Sequence, residues 1–76
     1  MAVRAYVLAN VDPGVGHEVI KILSTMEGVK SVYNVTGPYD VIAYVEVKDT
    51  AALGELVISK IQNTEGIQQT LTCVII

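Results

Sequence analysis

Val3-Arg4-Ala5-Tyr6-Val7 and Val41-Ile42-Ala43-Tyr44-Val45 are two copies of one pattern, set half the chain apart. At the same spacing Gly16 falls on Gly54, Val19-Ile20 on Val57-Ile58, and Glu27-Gly28 on Glu65-Gly66. The chain is therefore read as a duplicated unit, each copy a strand, a helix and a strand. In the first copy Val3, Ala5, Val7 and Ala9 alternate with Arg4, Tyr6, Leu8 and Asn10, a period of two. Asp12-Pro13 has the chemistry of a helix start: the carboxylate accepts from an orphan N–H, and proline's fixed φ suits the first helical position. Val15, Val19, Ile22, Leu23 and Met26 then recur at helical spacing as one apolar stripe. Gly28 closes this helix, and residues 29–36 form a second strand.

The second copy follows the same plan. Thr36-Gly37-Pro38-Tyr39-Asp40 turns the chain into a third strand, Val41 to Val47, rich in β-branched residues. Asp49 or Thr50 caps a second helix whose stripe is Leu53, Leu56, Val57 and Ile61. Gly66 ends the connection, and Ile67 to Ile76 is the last strand. The order βαββαβ, with both βαβ connections right-handed, predicts an α+β fold. It is the ferredoxin-like plait, a four-stranded antiparallel sheet with two helices on one face.

Alternation then assigns the two faces of the sheet. Val3, Ala5, Val7, Val41, Ala43, Val45 and Val47 are small or branched and fit under the helices. Tyr6, Leu8, Ile42, Tyr44, Thr70, Thr72 and Val74 are expected on the helix-free face. Pairing of the first and third strands is expected to set Tyr6 opposite Tyr44 and Arg4 opposite Glu46. A bare face in a monomer should be wet and polar. Here it is half apolar, which predicts a homodimer, or a multiple of one, made through Tyr6, Leu8, Ile42 and Tyr44.

Composition points the same way. Hydrophobic residues make up 51% of the 76 positions and charged residues 17%. A domain of this size buries only about 60% of its unfolded surface, so some apolar surface is left for association. A net charge of -3 with five scattered cations excludes direct nucleic-acid binding. One cysteine allows no intrachain disulfide and no multi-thiolate metal site, and one histidine allows no His-rich site. No metal or cofactor is expected. No apolar run reaches the roughly 18 residues of a membrane helix, and no basic segment precedes an apolar one as in a signal peptide. A soluble, cytoplasmic protein is expected.

Candidate catalytic groups are poor. His17 has no nucleophile or carboxylate placed by spacing to orient it, and is read as a surface histidine. Gly14-Val15-Gly16 lacks the Gly-Lys-Ser/Thr that would hold a nucleotide. Cys73, between Leu71 and Ile75 in pattern, is expected to be buried and inert. Tyr6 and Tyr44 could serve as base-stacking platforms only with cations that this chain lacks. No enzyme is predicted.

The turn at 36–40 is the most specific feature. A hairpin explains its glycine, proline and aspartate, but it does not require Tyr39 and Asp40 together beside an apolar strand. Nor does the last strand need Thr70 and Thr72 within an apolar run. Hydroxyls, backbone N–H groups and one carboxylate in an apolar cleft would suit a small zwitterion.

Gly28-Val29, Val35-Thr36-Gly37-Pro38-Tyr39-Asp40, Glu65-Gly66-Ile67 and Thr70-Leu71-Thr72 together resemble the effector domain of the Lrp/AsnC regulators. This module is also called the RAM domain. The resemblance covers residues 1–76 as a single ligand-binding domain. Family members place a helix-turn-helix domain before it, whereas this chain starts at the first strand, so the resemblance implies a stand-alone effector module. It implies sheet-to-sheet dimers, further assembly, and an amino-acid effector in clefts between subunits. By position, Gly37, Tyr39 and Asp40 would be the effector loop, with Thr70 and Thr72 as polar contacts from the last strand. Asp40 would face the α-ammonium, with hydroxyls and loop N–H groups taking the α-carboxylate. The implied partners are further copies, a small amino acid and full-length Lrp/AsnC regulators.

Three other readings stand beside it. The ACT domain shares the topology and binds amino acids, but favours a Gly-rich turn after the first strand that Asn10-Val11-Asp12-Pro13-Gly14 matches poorly. Dimeric α+β barrel enzymes stack such sheets around a pocket, but need an inward His, Asn or acid. A purely structural subunit, co-assembling with full-length regulators, needs no effector at all.

Overall fold

The computed structural model describes residues 2–76. Its elements are β1 (Val3–Val11), α1 (Gly16–Ser24), β2 (Val29–Asn34), β3 (Val41–Val47), α2 (Thr50–Gly54) and β4 (Ile67–Val74). Helix α2 continues into a π-helical segment, Glu55–Ile61. The sheet order is β2-β3-β1-β4, with neighbouring strands antiparallel. This is the ferredoxin-like plait that the duplicated pattern predicts.

Register follows the pattern as well. Tyr6 stands opposite Tyr44 and Arg4 opposite Glu46. Ala5, Val7, Ala9, Val41, Ala43 and Val45 are buried under the helices, against Val19, Leu23, Leu53, Leu56, Val57 and Ile61. Small side chains on the two central strands let the helical layer approach closely, and the two helical stripes fill the remaining space. Ile22, placed in the first stripe by spacing, is instead 44% exposed.

The two helices begin differently. Asp49 caps α2 as expected, its Oδ1 accepting from the Ala52 N–H at 2.7 Å. Asp12 does not cap α1, which begins at Gly16 with no side-chain cap. Gly14 at φ +84 turns the backbone out of the helical path that Pro13 would otherwise enter. The Asp12 carboxylate serves β4 instead, its Oδ1 accepting from Gln68 Nε2 at 2.7 Å.

One further difference bears on the site. Asn10 pairs with Gln69 while Val11 pairs with Ile67, so Gln68 is an extra residue, a bulge in β4. Counted from Ile67 without a bulge, Thr70, Thr72 and Val74 fall on the bare face. One inserted residue moves every later side chain to the opposite face. Thr70, Thr72 and Val74 therefore stand opposite Ala9, Val7 and Ala5, on the helical side of this edge strand. Leu71 and Cys73 take the bare face opposite Leu8 and Tyr6, and Cys73 is exposed rather than buried.

Gly66 enters β4 at φ +98, and a Cβ there would lie 2.9 Å from Val15 Cγ2 and 3.3 Å from Val19 Cγ2. Gly66→Ala should therefore cost about 3 kcal/mol, combining left-handed backbone strain with overpacking. Gly14→Ala, at φ +84 with open space around the new Cβ, should cost about 1 kcal/mol from strain alone. Urea denaturation of both variants checks this, and equal losses would show that the Val15–Val19 wall yields freely.

Candidate functional site

The turn between β2 and β3 is pinned to the end of β1. Val35 N–H donates to the Asp40 carbonyl at 2.9 Å, and Asp40 N–H donates to the Ala9 carbonyl at 3.0 Å. Asn10 Nδ2 donates to the Pro38 carbonyl at 2.9 Å. The pairing of β1 with β3 ends at Ala9 and Val41, so Val11 has no backbone acceptor on that side. Asp40 supplies one: its Oδ2 accepts from the Val11 N–H at 3.0 Å. Its second carboxylate oxygen is left for other partners, and the residue is exposed. Tyr39 is half-buried, and Gly37, at φ +131, has nothing within 4 Å of where a side chain would project.

Asp40 thus has a structural role that turn chemistry alone did not reveal. Asp40→Ala should cost about 1 kcal/mol by stranding the Val11 N–H, and Asp40→Asn should cost less, since an amide oxygen still accepts. Urea midpoints of the two variants distinguish them. An equal loss in both would mean that charge, not the hydrogen bond, matters there.

Thr70 and Thr72 lie half-buried on β4, across β1 from the turn. Thr70 Oγ1 accepts from Gln62 Nε2 at 3.0 Å, tying the strand to the end of the π-helical segment. The loop bonds to β1 and Thr70 to Gln62, so the two halves of the expected site hang on different neighbours. Beside Thr70 a hollow of about 340 Å³ is lined by Gln62, Ile67, Gln68 and Gln69. Sequence reading passed over these glutamines. Their signal was the Gln68-Gln69 pair directly before Thr70, which gains meaning only once the bulge is known.

The bare face carries a row that crosses all four strands: Tyr33, Ile42, Leu8 and Leu71 stand successively opposite one another. Ser31, Tyr44, Tyr6 and Cys73 form the next row. The Tyr6 and Tyr44 rings lie 5.4 Å apart, tilted by 50°. Tyr33 and Leu71 join the four residues expected there and are 61% and 46% exposed. His17 is exposed on α1. Among the described residues no three His, Cys, Asp or Glu side chains gather as a metal site. No helix of the described residues is long and apolar enough to cross a membrane.

Strand order, register and the bare sheet face define a ferredoxin-like α+β plait. The Lrp/AsnC ligand binding domain family matches the chain over residues 4–76, and the chain belongs to that family. The crystal structure of FFRP-DM1 is similar at 35% identity and a TM-score of 0.94, the match covering 97% of this chain and 99% of that one. An uncharacterized HTH-type transcriptional regulator of Pyrococcus furiosus is 31% identical over 97% of this chain and 51% of its own length. A homocitrate synthase of Saccharolobus islandicus is 36% identical over 58 residues, 76% of this chain. The chain spans 12% of that enzyme's length and about half of the regulator's.

Proposed function

We propose that this protein is an oligomeric, amino-acid-sensing regulatory module that acts by binding and not by catalysis. The observation that carries the reading is the turn at 36–40. It is pinned to β1 by hydrogen bonds, yet it keeps an exposed Asp40 oxygen and an open approach at Gly37. Such a loop is preorganised, so little ordering cost falls on ligand binding.

In this reading two copies meet through Tyr6, Leu8, Ile42 and Tyr44, and further copies bring β4 of one subunit to the turn of another. The free Asp40 oxygen faces the α-ammonium of an amino acid. Thr70, Thr72 and loop N–H groups take the α-carboxylate, with Tyr39 walling the cleft. A ligand held by two subunits binds the assembled state better, which links its occupancy to oligomeric state. The module works in the cytoplasm without a cofactor, and its net charge of -3 leaves DNA to a partner, a full-length Lrp/AsnC regulator. The homocitrate synthase match favours a second partner class, a metabolic enzyme carrying or recruiting such a module.

Thermal unfolding with each of the twenty amino acids tests the proposal. A true effector at a hundredfold excess over Kd stabilises by about 2.7 kcal/mol. For a domain of this size that raises Tm by roughly 10 °C or more. No shift with any amino acid would favour a purely structural subunit.

A further inference from the structure

We infer that the hollow around Arg4 on the bare sheet face is a second binding site, for a single-ring aromatic carboxylate enclosed between two copies of the chain. The inference goes beyond amino-acid sensing and rests on the proposal above only for the face-to-face meeting of two copies. The hollow measures about 370 Å³ and is lined by Arg4, Tyr6, Ser31, Tyr33, Ile42 and Tyr44. That volume lies at the lower end of the roughly 300–1,000 Å³ typical of small-molecule sites.

Charge selects the acid. Among the described residues Arg4 is the only cation in the lining, and no carboxylate shares that lining with it. Glu46 stands opposite Arg4 in register, yet it borders the neighbouring hollows instead, together with Lys30 and Lys48. In a single copy Arg4 is exposed, and water solvates its guanidinium. A second copy laid on this face takes that water away, and a desolvated cation without a partner is costly. One carboxylate, received by the fork of guanidinium N–H groups, supplies the missing charge. The Ser31 and tyrosine hydroxyls are further donors to it.

The rest of the wall selects the ring. Tyr6 and Tyr44 form a tilted pair, and Tyr33 stands beside Ile42 in the next row of the sheet. Three phenol rings and an isoleucine pack a planar apolar body by offset or edge-on contact. Other ligand classes fit less well. An amino acid would bring its ammonium to a site holding a guanidinium and no carboxylate. A phosphate ester would bring nearly two charges to one cation. A neutral ring would leave Arg4 unpaired once the second copy has closed over it.

Fluorine NMR of the full chain with para-fluorobenzoate tests the site, with para-fluorobenzyl alcohol as the neutral analogue and acetate as a ringless acid. The benzoate should bind saturably and at least about tenfold more tightly than the alcohol, the usual worth of a hydrogen bond to a charged group. Acetate at equal concentration should not displace it. Arg4→Gln should remove the preference for the acid while leaving the alcohol's affinity unchanged. A general loosening of the sheet would weaken both ligands alike, so the crossed comparison separates the two effects. Arg4→Lys should restore part of the preference, as a point charge in place of the fork. Equal binding of acid and alcohol, a preference that survives Arg4→Gln, or binding of neither would overturn the inference while leaving amino-acid sensing in place. A chain that sediments as a monomer would overturn it as well, before any ligand is added.

Discussion

An Ile42→Asp variant should sediment as a monomer at concentrations where the unmodified chain is dimeric. Ile42 sits inside the apolar row on the bare face, between Tyr33 and Leu8 in register. A two-fold interface is isologous, so one substitution enters it twice. Each unpaired carboxylate buried there should cost about 3 kcal/mol. Two together weaken association by roughly 10⁴-fold. The fold itself should persist, because Ile42 is half-buried on the side away from the core. Ile58→Asp provides the control: Ile58 is 62% exposed on the helical side and should leave association unchanged. Sedimentation velocity on the three proteins decides the matter. Undiminished association of Ile42→Asp would take the sheet face out of the interface.

What could be read from the sequence was what repeats locally. The period of two in β1 and β3 and the stripe Leu53, Leu56, Val57 and Ile61 identify the core, because burial on one face is a local constraint. The turn at 36–40 was legible from its residue chemistry. Features set by distant partners were not. Asp40 meets Val11 across 29 positions, and Gln68 meets Asp12 across 56, so neither bond leaves a trace in local pattern. The bulge at Gln68 is of the same kind. It is fixed by how β4 lies on β1, and one residue was enough to move Thr70 and Thr72 to the helical side. The π-helical segment was also hidden, since its apolar spacing suits an α-helix equally well. It shows itself in the Gln62 N–H, which donates to the Val57 carbonyl at 2.8 Å, five residues back.

The largest loss of stability is expected at Ile61, where that segment meets the core. Its side chain is 0% exposed and belongs to the same cluster as Val19, Leu23 and Val45. Ile61→Ala removes buried methyl groups and leaves a cavity, a change that costs about 2–5 kcal/mol. The upper half of that range is expected here. The wider π-helical turn must rewind before the helix can settle into the gap, and the sheet beneath it is held by strand pairing on both sides. Small domains hold only about 0.05–0.15 kcal/mol per residue, so such a loss takes much of the total. In temperature it amounts to a fall in Tm of roughly 15 °C or more. Ile58→Ala, in the same segment but exposed, should stay within about 0.5 kcal/mol of the unmodified chain. Urea unfolding should be run at one protein concentration, because a dimer adds its association energy to apparent stability. Ile61 also precedes Gln62, whose amide holds Thr70, so loosening the segment should weaken amino-acid binding below the unfolding temperature. Equal midpoints for Ile61→Ala and Ile58→Ala would mean that the segment repacks freely and that its π-helical form neither anchors the core nor positions Thr70.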